Sequence, residues 1–315
     1  MSNVLLITNK EDITTDFIVK ELNNRGVNYF RFNTEEIGKT IDVSIKPELS
    51  SFNLHHNNET IDLNDIHSIY YRRPKLPTPD DNLSNGEKIF FYREMETLLD
   101  GIYRFLEKKK WFNNVFDIRK TENKIFQLLV AKKIGFELPS SLVTNIPKHA
   151  NSFVNNTQSI FKPLKNGFVE ENEKTSKILY TNNIDENFIN EINRIKEMPV
   201  YFQNKINKKS DIRITVINKK IHAIEIDSQI SDISATDWRR AKNILPHKKI
   251  TINSDLRKKI LKLCSFFNLN FAAIDLALDD HGNYVFFEIN ANGQWAWIEK
   301  LLNIEMSKQI VDFLE

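Results

Sequence analysis

Cysteine is almost missing from this sequence, since Cys264 is the only one among 315 residues. No disulfide can form within the chain, which is typical of proteins from a reducing compartment. Cys264 lies between Leu256 and Phe267, where apolar residues recur at helical spacing. This pattern indicates a small core residue and not a nucleophile.

Long hydrophobic runs and an excess of one charge are also absent. The opening MSNVLLITNKED has no basic segment and too short an apolar run for a signal peptide, and no later segment approaches a membrane span. The 44 Lys and Arg residues balance 42 Asp and Glu, a net charge of +2, without the basic field that nucleic-acid binding usually requires. We therefore expect a cytoplasmic protein with no nucleic-acid and no membrane partner.

Apolar periodicity and turn residues divide the chain into three predicted units, 1–116, 117–199 and 200–315. In the first unit a strand, a helix ending at Gly26 and a second strand follow one another with short loops, which is typical of a parallel α/β unit. The later units mix helices with hairpins, one of which is predicted to pair 211–217 with 221–227. The sequence therefore predicts an α/β unit followed by α+β units. The predicted strands cover 4–8, 27–32, 41–45, 66–71, 159–163, 200–206, 211–217 and 221–227, and the main predicted helices cover 86–110, 123–135 and 256–267.

The segment YVFFEINANGQWAWIE near the C-terminus carries the strongest chemical signal. With the preceding FAAIDLA it forms a predicted hairpin. A turn centred between His281 and Gly282 places Asp275 directly opposite Glu288. Facing residues of an antiparallel pair lie roughly 4.5–5.5 Å apart between Cβ atoms, and like charges there are destabilising. A positive group is therefore expected between the two carboxylates.

Phe286 and Asn290 share the predicted strand face of Glu288. Asn290 is predicted to lie opposite the small residue Ala273, which would leave room for an ion. Oxygen ligands without His or Cys favour Mg²⁺ or Mn²⁺ over zinc. The sequence thus predicts a metal site at Asp275, Glu288 and Asn290. The alternative is an edge hairpin with solvated carboxylates, but the flanking Phe and Trp residues favour a dry face.

The chain resembles the ATP-grasp ligases in the order of its motifs: Lys124, Lys162, the extended run Gln203–Ile206, and the Asp/Glu/Asn set. The resemblance implies an ATP-grasp fold with an N-terminal Rossmann-like pre-ATP-grasp domain. It also implies ATP held between two lobes, with both lysines and Mg²⁺ neutralising the triphosphate. The peptide groups of the run, from Gln203 and Asn204 to Ile206, would bind adenine. Asp211 and Arg213 share one strand face, so Arg213 would stabilise an acyl phosphate while Asp211 orients a neighbouring cation.

Within that superfamily the sequence is similar to the graspetide (microviridin-type) synthetases, essentially from end to end. The similarity is carried by IYYRRP, NKIFQLLVAKKIGFELPSSLVTN, DIRITVI, TDWRR and EINANGQWAWIE. It implies a peptide macrocyclase that uses ATP to phosphorylate Asp or Glu side chains of a ribosomal precursor peptide. Ser or Thr hydroxyls would then form esters, or Lys amines amides, with release of ADP and phosphate. The partner would be a precursor with a leader and an acidic core, and a homodimer is compatible with the resemblance.

One departure concerns the loop after Lys162, which is rich in glycine in many family members. Here it is KPLKNGFVE with Gly167 alone, which argues against full backbone cradling of the phosphates.

Four arginines complete the predicted site. Arg72 and Arg73 follow a strand at the edge where open α/β sheets bind ligands, and a guanidinium can hold a carboxylate through two parallel hydrogen bonds. They are predicted to bind the acidic substrate, together with Arg240, while Arg239 is predicted to act in catalysis.

Two other functions fit the same motifs. One is an ATP-grasp ligase that adds a free amino acid to a protein or small-molecule carboxylate, which differs in binding an amino acid instead of a peptide. The other is a non-catalytic ATP sensor, which would not need the complete metal set.

Overall fold

The computed structural model describes residues 3–165, 168–172, 175–178, 181–241 and 243–315, with side chains for all of these except 168–172 and 175–178. Within these ranges, no helix is both long and apolar enough to cross a membrane.

The N-terminal unit contains two sheets. Its elements are β1 (Val4–Thr8), α1 (Ile13–Arg25), β2 (Tyr29–Asn33), β3 (Asp42–Lys46), β4 (Ser51–His56), β5 (Glu59–Asp62), β6 (Ser68–Tyr71), α2 (Asn85–Phe105), β7 (Lys110–Trp111) and α3 (Val115–Thr121). Strands β2, β1, β6 and β7 form a parallel sheet in that order, as the α/β pattern predicts. The predicted strands at 41–45 and 66–71 belong to different sheets, because β3, β4 and β5 form a separate antiparallel sheet.

Local sequence explains the helix bounds in this unit. The Asp12 side chain accepts a hydrogen bond from the Thr14 N–H at the start of α1, and the helix ends at Gly26 with φ of 66°. Helix α2 begins with a capping box between Ser84 and Glu87. The capped α1 places Asp12 at the C-terminal edge of the parallel sheet, beside the strand that leads to Arg72.

The central unit begins with a helix that packs against the C-terminal unit. Its elements are α4 (Lys124–Ile134), β8 (Ser141–Thr144), α5 (Pro147–Asn156), β9 (Ser159–Lys162), β10 (Phe168–Asn172), β11 (Thr175–Ile178), β12 (Asn182–Asn183), α6 (Glu186–Asn190) and β13 (Val200–Asn204). Strand β13 pairs with both β8 and β9, so it belongs to the central sheet, and the predicted boundary at 199/200 falls too early. The buried residues of α4, Val130 and Ala131, pack into the core of the C-terminal unit.

The C-terminal unit is a five-stranded antiparallel sheet flanked by helices. Its elements are β14 (Lys208–Ile217), β15 (Lys220–Ile226), α7 (Asp232–Thr236), β16 (His247–Ile250), α8 (Ser254–Phe266), β17 (Phe271–Asp279), β18 (Tyr284–Asn290), α9 (Ala296–Leu302) and α10 (Met306–Leu314). The sheet order is β16-β15-β14-β17-β18. One face packs against α4 and α8, and the other packs against α10 and α1 of the N-terminal unit. The predicted helix at 256–267 and both predicted hairpins are confirmed.

The side chains of β14 alternate between the hydrophobic core and the face that carries the charged residues of the site. Ile212, Ile214 and Val216 enter the core beneath α4 and α8. Asp211 and Arg213 therefore lie on the opposite face, as the two-residue period requires. They share that face with Asp275, which pairs with Arg213 across β14 and β17.

Candidate active site

A cleft of about 350 Å³ lies between the central sheet and the C-terminal sheet. It gathers side chains that are up to 217 positions apart in the chain, from Arg73 to Asn290. Of the predicted site residues, these line it: Arg73, Lys124, Lys162, Gln203, Asn204, Ile206, Asp211, Arg239, Asp275, Glu288 and Asn290. Arg72, Arg213 and Arg240 do not.

The carboxylate pair lies where the sequence predicts it, although the register is reached differently. Asp275 is opposite Glu288, and Ala273 is opposite Asn290. The turn is in fact one residue shorter than predicted, since the Asp279 N–H donates to the Asn283 carbonyl around His281. A bulge in β18 between the partners of Asp275 and Leu276 restores the pairing.

The bulge corrects the predicted strand faces. Phe286 is buried in the hydrophobic core with Ile289, whereas Phe287 joins Glu288 and Asn290 in the cleft lining. The expected alternation placed Phe286 on the face of Glu288. An extra residue in one strand reverses that assignment.

Protein cations lie beside both carboxylates. Arg213 Nη1 is 2.8 and 2.9 Å from the two Asp275 oxygens. Lys124 Nζ and Arg239 Nη1 each lie 3.6 Å from a Glu288 oxygen. The predicted positive group between the carboxylates is thus supplied at least in part by side chains.

These contacts set the protonation of the pair. Burial raises the pKa of Asp275 despite the adjacent Arg213. Burial also opposes ionisation of Glu288, but Lys124, Arg239 and the Asn290 amide together lower its pKa to about 2. Glu288 therefore carries a full negative charge at neutral pH.

The two predicted ATP lysines approach the carboxylates from the central unit. Lys124 Nζ donates to the Pro163 carbonyl at 3.0 Å. Lys162 Nζ lies 4.7 Å from the centre of the Phe287 ring. Burial lowers the pKa of Lys162 to about 8. A buried amine of this kind gains most from an anionic partner.

Asp211 and Arg239 each have one dominant partner. Asp211 holds Lys208, whose Nζ is 2.8 and 2.7 Å from its two oxygens, which fits the predicted role of orienting a neighbouring cation. Arg239 forms two parallel hydrogen bonds to Asp237, at 2.8 and 2.7 Å. Arg239 is thereby fixed with one nitrogen turned toward Glu288.

Only some of the peptide groups in the segment predicted to bind adenine are available for a ligand. The N–H groups of Asn204 and Lys205 donate to carbonyls of neighbouring segments, so the peptide donor of Asn204 is not free for adenine as predicted. The Ile206 N–H has no backbone partner in the described part of the chain. The Gln203 side chain is fully buried and its Oε1 has no hydrogen-bond partner within the described residues.

The structure separates the predicted substrate-binding arginines. Arg72 is 1% exposed and its guanidinium is occupied by Asp12, the Gly293 carbonyl and Gln294, so it cannot bind substrate as predicted. Arg73 lies on the cleft wall, and its side chain forms no hydrogen bond or ion pair with the described residues. Its φ is 45°, an uncommon backbone conformation for a residue that is not glycine. Arg240 lies outside the lining, with Nη1 3.5 Å from the Thr181 carbonyl.

The expected space above Ala273 is also filled. A Cβ added to Gly293 would lie 2.3 Å from the Ala273 Cβ, so the backbone of Gly293 occupies that position. An ion at the carboxylates would have to lie on the cleft side of Glu288. Gly167 lies outside the described residues.

The cleft residues that were not predicted include Lys208, Asp237 and Phe287. Asp237 had a usable signal, because an Asp two residues before Arg239 can cap the short turn that the arginine follows. No sequence pattern indicated Phe287, because its exposure to the cleft depends on the bulge.

Two family models match the sequence: the MvdD pre-ATP grasp domain over residues 3–119 and the RimK-like ATP-grasp domain over residues 120–314. The chain belongs to the RimK-like ATP-grasp family. The predicted ATP-grasp fold with an N-terminal pre-ATP-grasp domain is confirmed. No curated protein matched the sequence.

Solved structures similar to this ATP-grasp ligase include a Chryseobacterium gregarium RiPP-associated ATP-grasp ligase in complex with ADP, and a leader and core peptide. It is 28% identical, with 100% of this chain and 96% of that chain covered and a TM-score of 0.86. The macrocyclase MdnB from Microcystis aeruginosa MRC is 26% identical, with coverage of 100% and 99% and a TM-score of 0.83. MdnC of the same organism, bound with precursor peptide MdnA, shares the fold at 20% identity over 99% of both chains, with a TM-score of 0.87. The predicted resemblance to ATP-grasp enzymes of ribosomal peptide maturation is confirmed.

The donor set of this ATP-grasp ligase fits a nucleotide with a divalent cation. Gln203 Oε1, which has no partner among the described residues, and the Ile206 N–H can bind a base, and Lys124 and Lys162 can bind phosphates. Among the described residues, no three His, Cys, Asp or Glu side chains are arranged so that they alone could hold a metal ion. Asn290 would therefore have to complete the ligand set begun by Asp275 and Glu288.

Proposed function

We propose that this protein is an ATP-dependent peptide macrocyclase. It transfers the γ-phosphoryl group of ATP to an Asp or Glu side chain of a precursor peptide, releasing ADP. A Ser or Thr hydroxyl or a Lys amine of the same peptide then attacks the acyl carbon. This step releases phosphate and one proton and forms an ester or an amide. The single observation that carries the proposal is the Asp275–Glu288 pair facing Lys124 and Lys162 across one cleft.

We assign the residues of the cleft, together with Arg213 next to the lining residue Asp275, as follows. Lys124 and Lys162 bind the phosphates, and Mg²⁺ or Mn²⁺ held by Asp275, Glu288 and Asn290 would offset phosphate charge from the other side. Arg213 and Arg239 stabilise negative charge that develops during transfer, because both guanidinium groups are fixed by carboxylates before substrate arrives. Preorganised cations of this kind need no reorientation during the reaction.

We propose that Arg73 binds the acidic core of the peptide. It lies on the cleft wall, and its pKa is lowered by burial and by the adjacent Arg72. A cation in that environment gains from a carboxylate partner. A precursor with a leader and an acidic core is the proposed partner, in keeping with the leader and core peptide of the Chryseobacterium complex.

Three further assignments complete the proposal. We place the protein in the cytoplasm, because a chain with the single free cysteine Cys264 forms no internal disulfide, as is typical of a reducing compartment. The three-unit division is retained, with the second boundary moved beyond Asn204 so that β13 stays in its sheet. Arg240 remains a candidate for substrate binding only because it lies next to Thr181, which lines the cleft.

The test uses the purified protein with a precursor peptide encoded beside its gene. We expect peptide-dependent release of ADP and phosphate, and a peptide mass lower by one water for each ring formed. Free glutamate in place of the peptide is the control and should not stimulate ADP release. AMP and pyrophosphate as stoichiometric products, or stimulation by the free amino acid alone, would contradict the proposal.

A further inference from the structure

The segment 292–294, which joins β18 to α9, is held by a buried arginine of the N-terminal unit. Arg72 Nη1 donates to the Gly293 carbonyl at 3.0 Å, and Nη2 donates to Gln294 Oε1 at 2.8 Å. Arg72 Nε lies 2.9 Å from Asp12, which neutralises the buried charge. All three nitrogens are thus used inside the protein, between two units of the chain.

The same segment holds Arg213. The Gln294 carbonyl accepts a hydrogen bond from Arg213 Nη2 at 3.2 Å, while Nη1 is bound to Asp275. Arg213 is 6% exposed, and its Nε is buried without a hydrogen-bond partner among the described residues. The hydrogen-bonded orientation of this guanidinium therefore depends on two attachments, Asp275 and Gln294.

Close packing couples the position of the segment to the position of Arg213. A Cβ on Gly293 would lie 2.9 Å from Arg213 Nη2 and 2.3 Å from the Ala273 Cβ. These distances leave no space for the segment to approach the sheet. A shift away from the sheet would lengthen the bond from Gln294 to Arg213, since that bond is already 3.2 Å.

We propose that Arg72 is a positioning residue, which fixes the 292–294 segment so that Arg213 keeps its place when Asp275 is engaged by a metal ion. The inference rests on the proposed function, because it takes Asp275 as a metal ligand. A divalent cation at Asp275 weakens the pull of that carboxylate on Arg213, and the Gln294 carbonyl is then the remaining attachment. Without Arg72 that attachment loosens, and Arg213 stays against Asp275 and competes with the metal.

Arg72→Lys tests this directly, because lysine keeps a charge for Asp12 but loses the planar fork that reaches Gly293 and Gln294. Partners of metal ligands typically change metal affinity or activity about 10- to 100-fold when mutated. We expect about tenfold weaker Mn²⁺ binding in the presence of ADP, measured by electron paramagnetic resonance. We also expect kcat for peptide-dependent ADP release to fall about tenfold while the KM for peptide stays near wild type.

Arg25→Ala is the matched control. Arg25 also joins the N-terminal unit to the C-terminal unit, through ion pairs at 2.9 Å to Asp312 and Glu315 of the C-terminal segment, but it is remote from the cleft lining. It should lower thermal stability and leave Mn²⁺ affinity and kcat unchanged. Gln294→Ala removes one of the three acceptors of Arg72 in the segment, which are the Asn292 and Gly293 carbonyls and Gln294 Oε1. It should shift Mn²⁺ affinity and kcat in the same directions as Arg72→Lys, and it tests the proposal if the Arg72→Lys variant does not fold.

Wild-type Mn²⁺ affinity and kcat in the folded Arg72→Lys and Gln294→Ala variants would overturn the proposal. The Mn²⁺ measurement needs only ADP, so it still tests the role of Arg72 if the wild-type protein fails to turn over the peptide. That failure would refute the proposed function instead.

Discussion

Replacing Glu288 with glutamine removes the most strongly stabilised carboxylate of the cleft. Its pKa is lowered from 4.5 to about 2, which corresponds to about 3 kcal/mol in favour of the charged form in the folded protein. Because the folded pKa is the lower one, this stabilisation is present above pH 4.5 and is lost as the pH falls toward 2. Glu288→Gln should therefore lower the free energy of unfolding at pH 7 by up to about 3 kcal/mol.

The effect on turnover should be larger than the effect on stability. Without Glu288 the proposed metal site loses a charged ligand, so turnover should fall at least about a hundredfold, as when a preorganised electrostatic group is removed. The assay is peptide-dependent ADP release at saturating Mg²⁺, with urea unfolding of the same preparations between pH 7 and pH 3. A flatter pH dependence of stability below pH 4.5 should accompany the loss of activity.

Glu225→Gln provides the matched control. Glu225 lies in the same sheet and its side chain is 21% exposed, against 18% for Glu288, and it pairs with Lys248 at 2.9 Å outside the cleft. It should change stability by less than about 1 kcal/mol and leave turnover unaltered. Wild-type turnover of Glu288→Gln at saturating Mg²⁺ would refute the assignment of the metal site.

Two further predictions concern the cations of the cleft. Arg73→Ala should raise the KM for peptide about tenfold, the equivalent of one charged hydrogen bond, and leave ATP affinity near wild type, whereas Lys75→Ala, which removes a surface partner of Glu11, should change neither. Equal KM values for the two variants would place peptide recognition elsewhere. Wild-type ATP affinity should decline as the pH rises through about 8, because the buried amine of Lys162 is deprotonated above that pH. Calorimetry at pH 7 and pH 9 checks this, and Lys162→Arg should abolish the decline; the same decline in both proteins would assign it to another group.

The C-terminal hairpin shows how much of the site can be predicted from sequence patterns. The prediction placed Asp275 opposite Glu288 from alternation and a turn residue, and the pairing is confirmed. The turn was assigned one residue too long, and the bulge that compensates was not foreseen. A bulge has little sequence signature here, because Phe286 and Phe287 are the same residue type and only packing decides which one enters the core.

Arg72 and Gly293 could not be assigned from sequence because their roles depend on contacts between units. An arginine after a strand is ordinarily a surface or ligand-binding group. Its burial here requires Asp12 and the 292–294 segment to meet it, 60 and 220 or more positions away. Gly293 likewise has no unusual φ, and its necessity follows only from the proximity of Ala273 and Arg213.

The chain-wide charge balance conceals the character of the cleft. Among the described residues, seven Lys and Arg side chains line it against four Asp and Glu, although the whole chain has a net charge of only +2. Each of the four carboxylates already has a cation within 4 Å. The positive charge that remains includes Arg73 and Lys162, on the sides where peptide and phosphates are proposed to bind. A cleft that is neutralised internally but keeps this surplus is suited to two anionic substrates at once, which is what joining ATP to an acidic peptide requires.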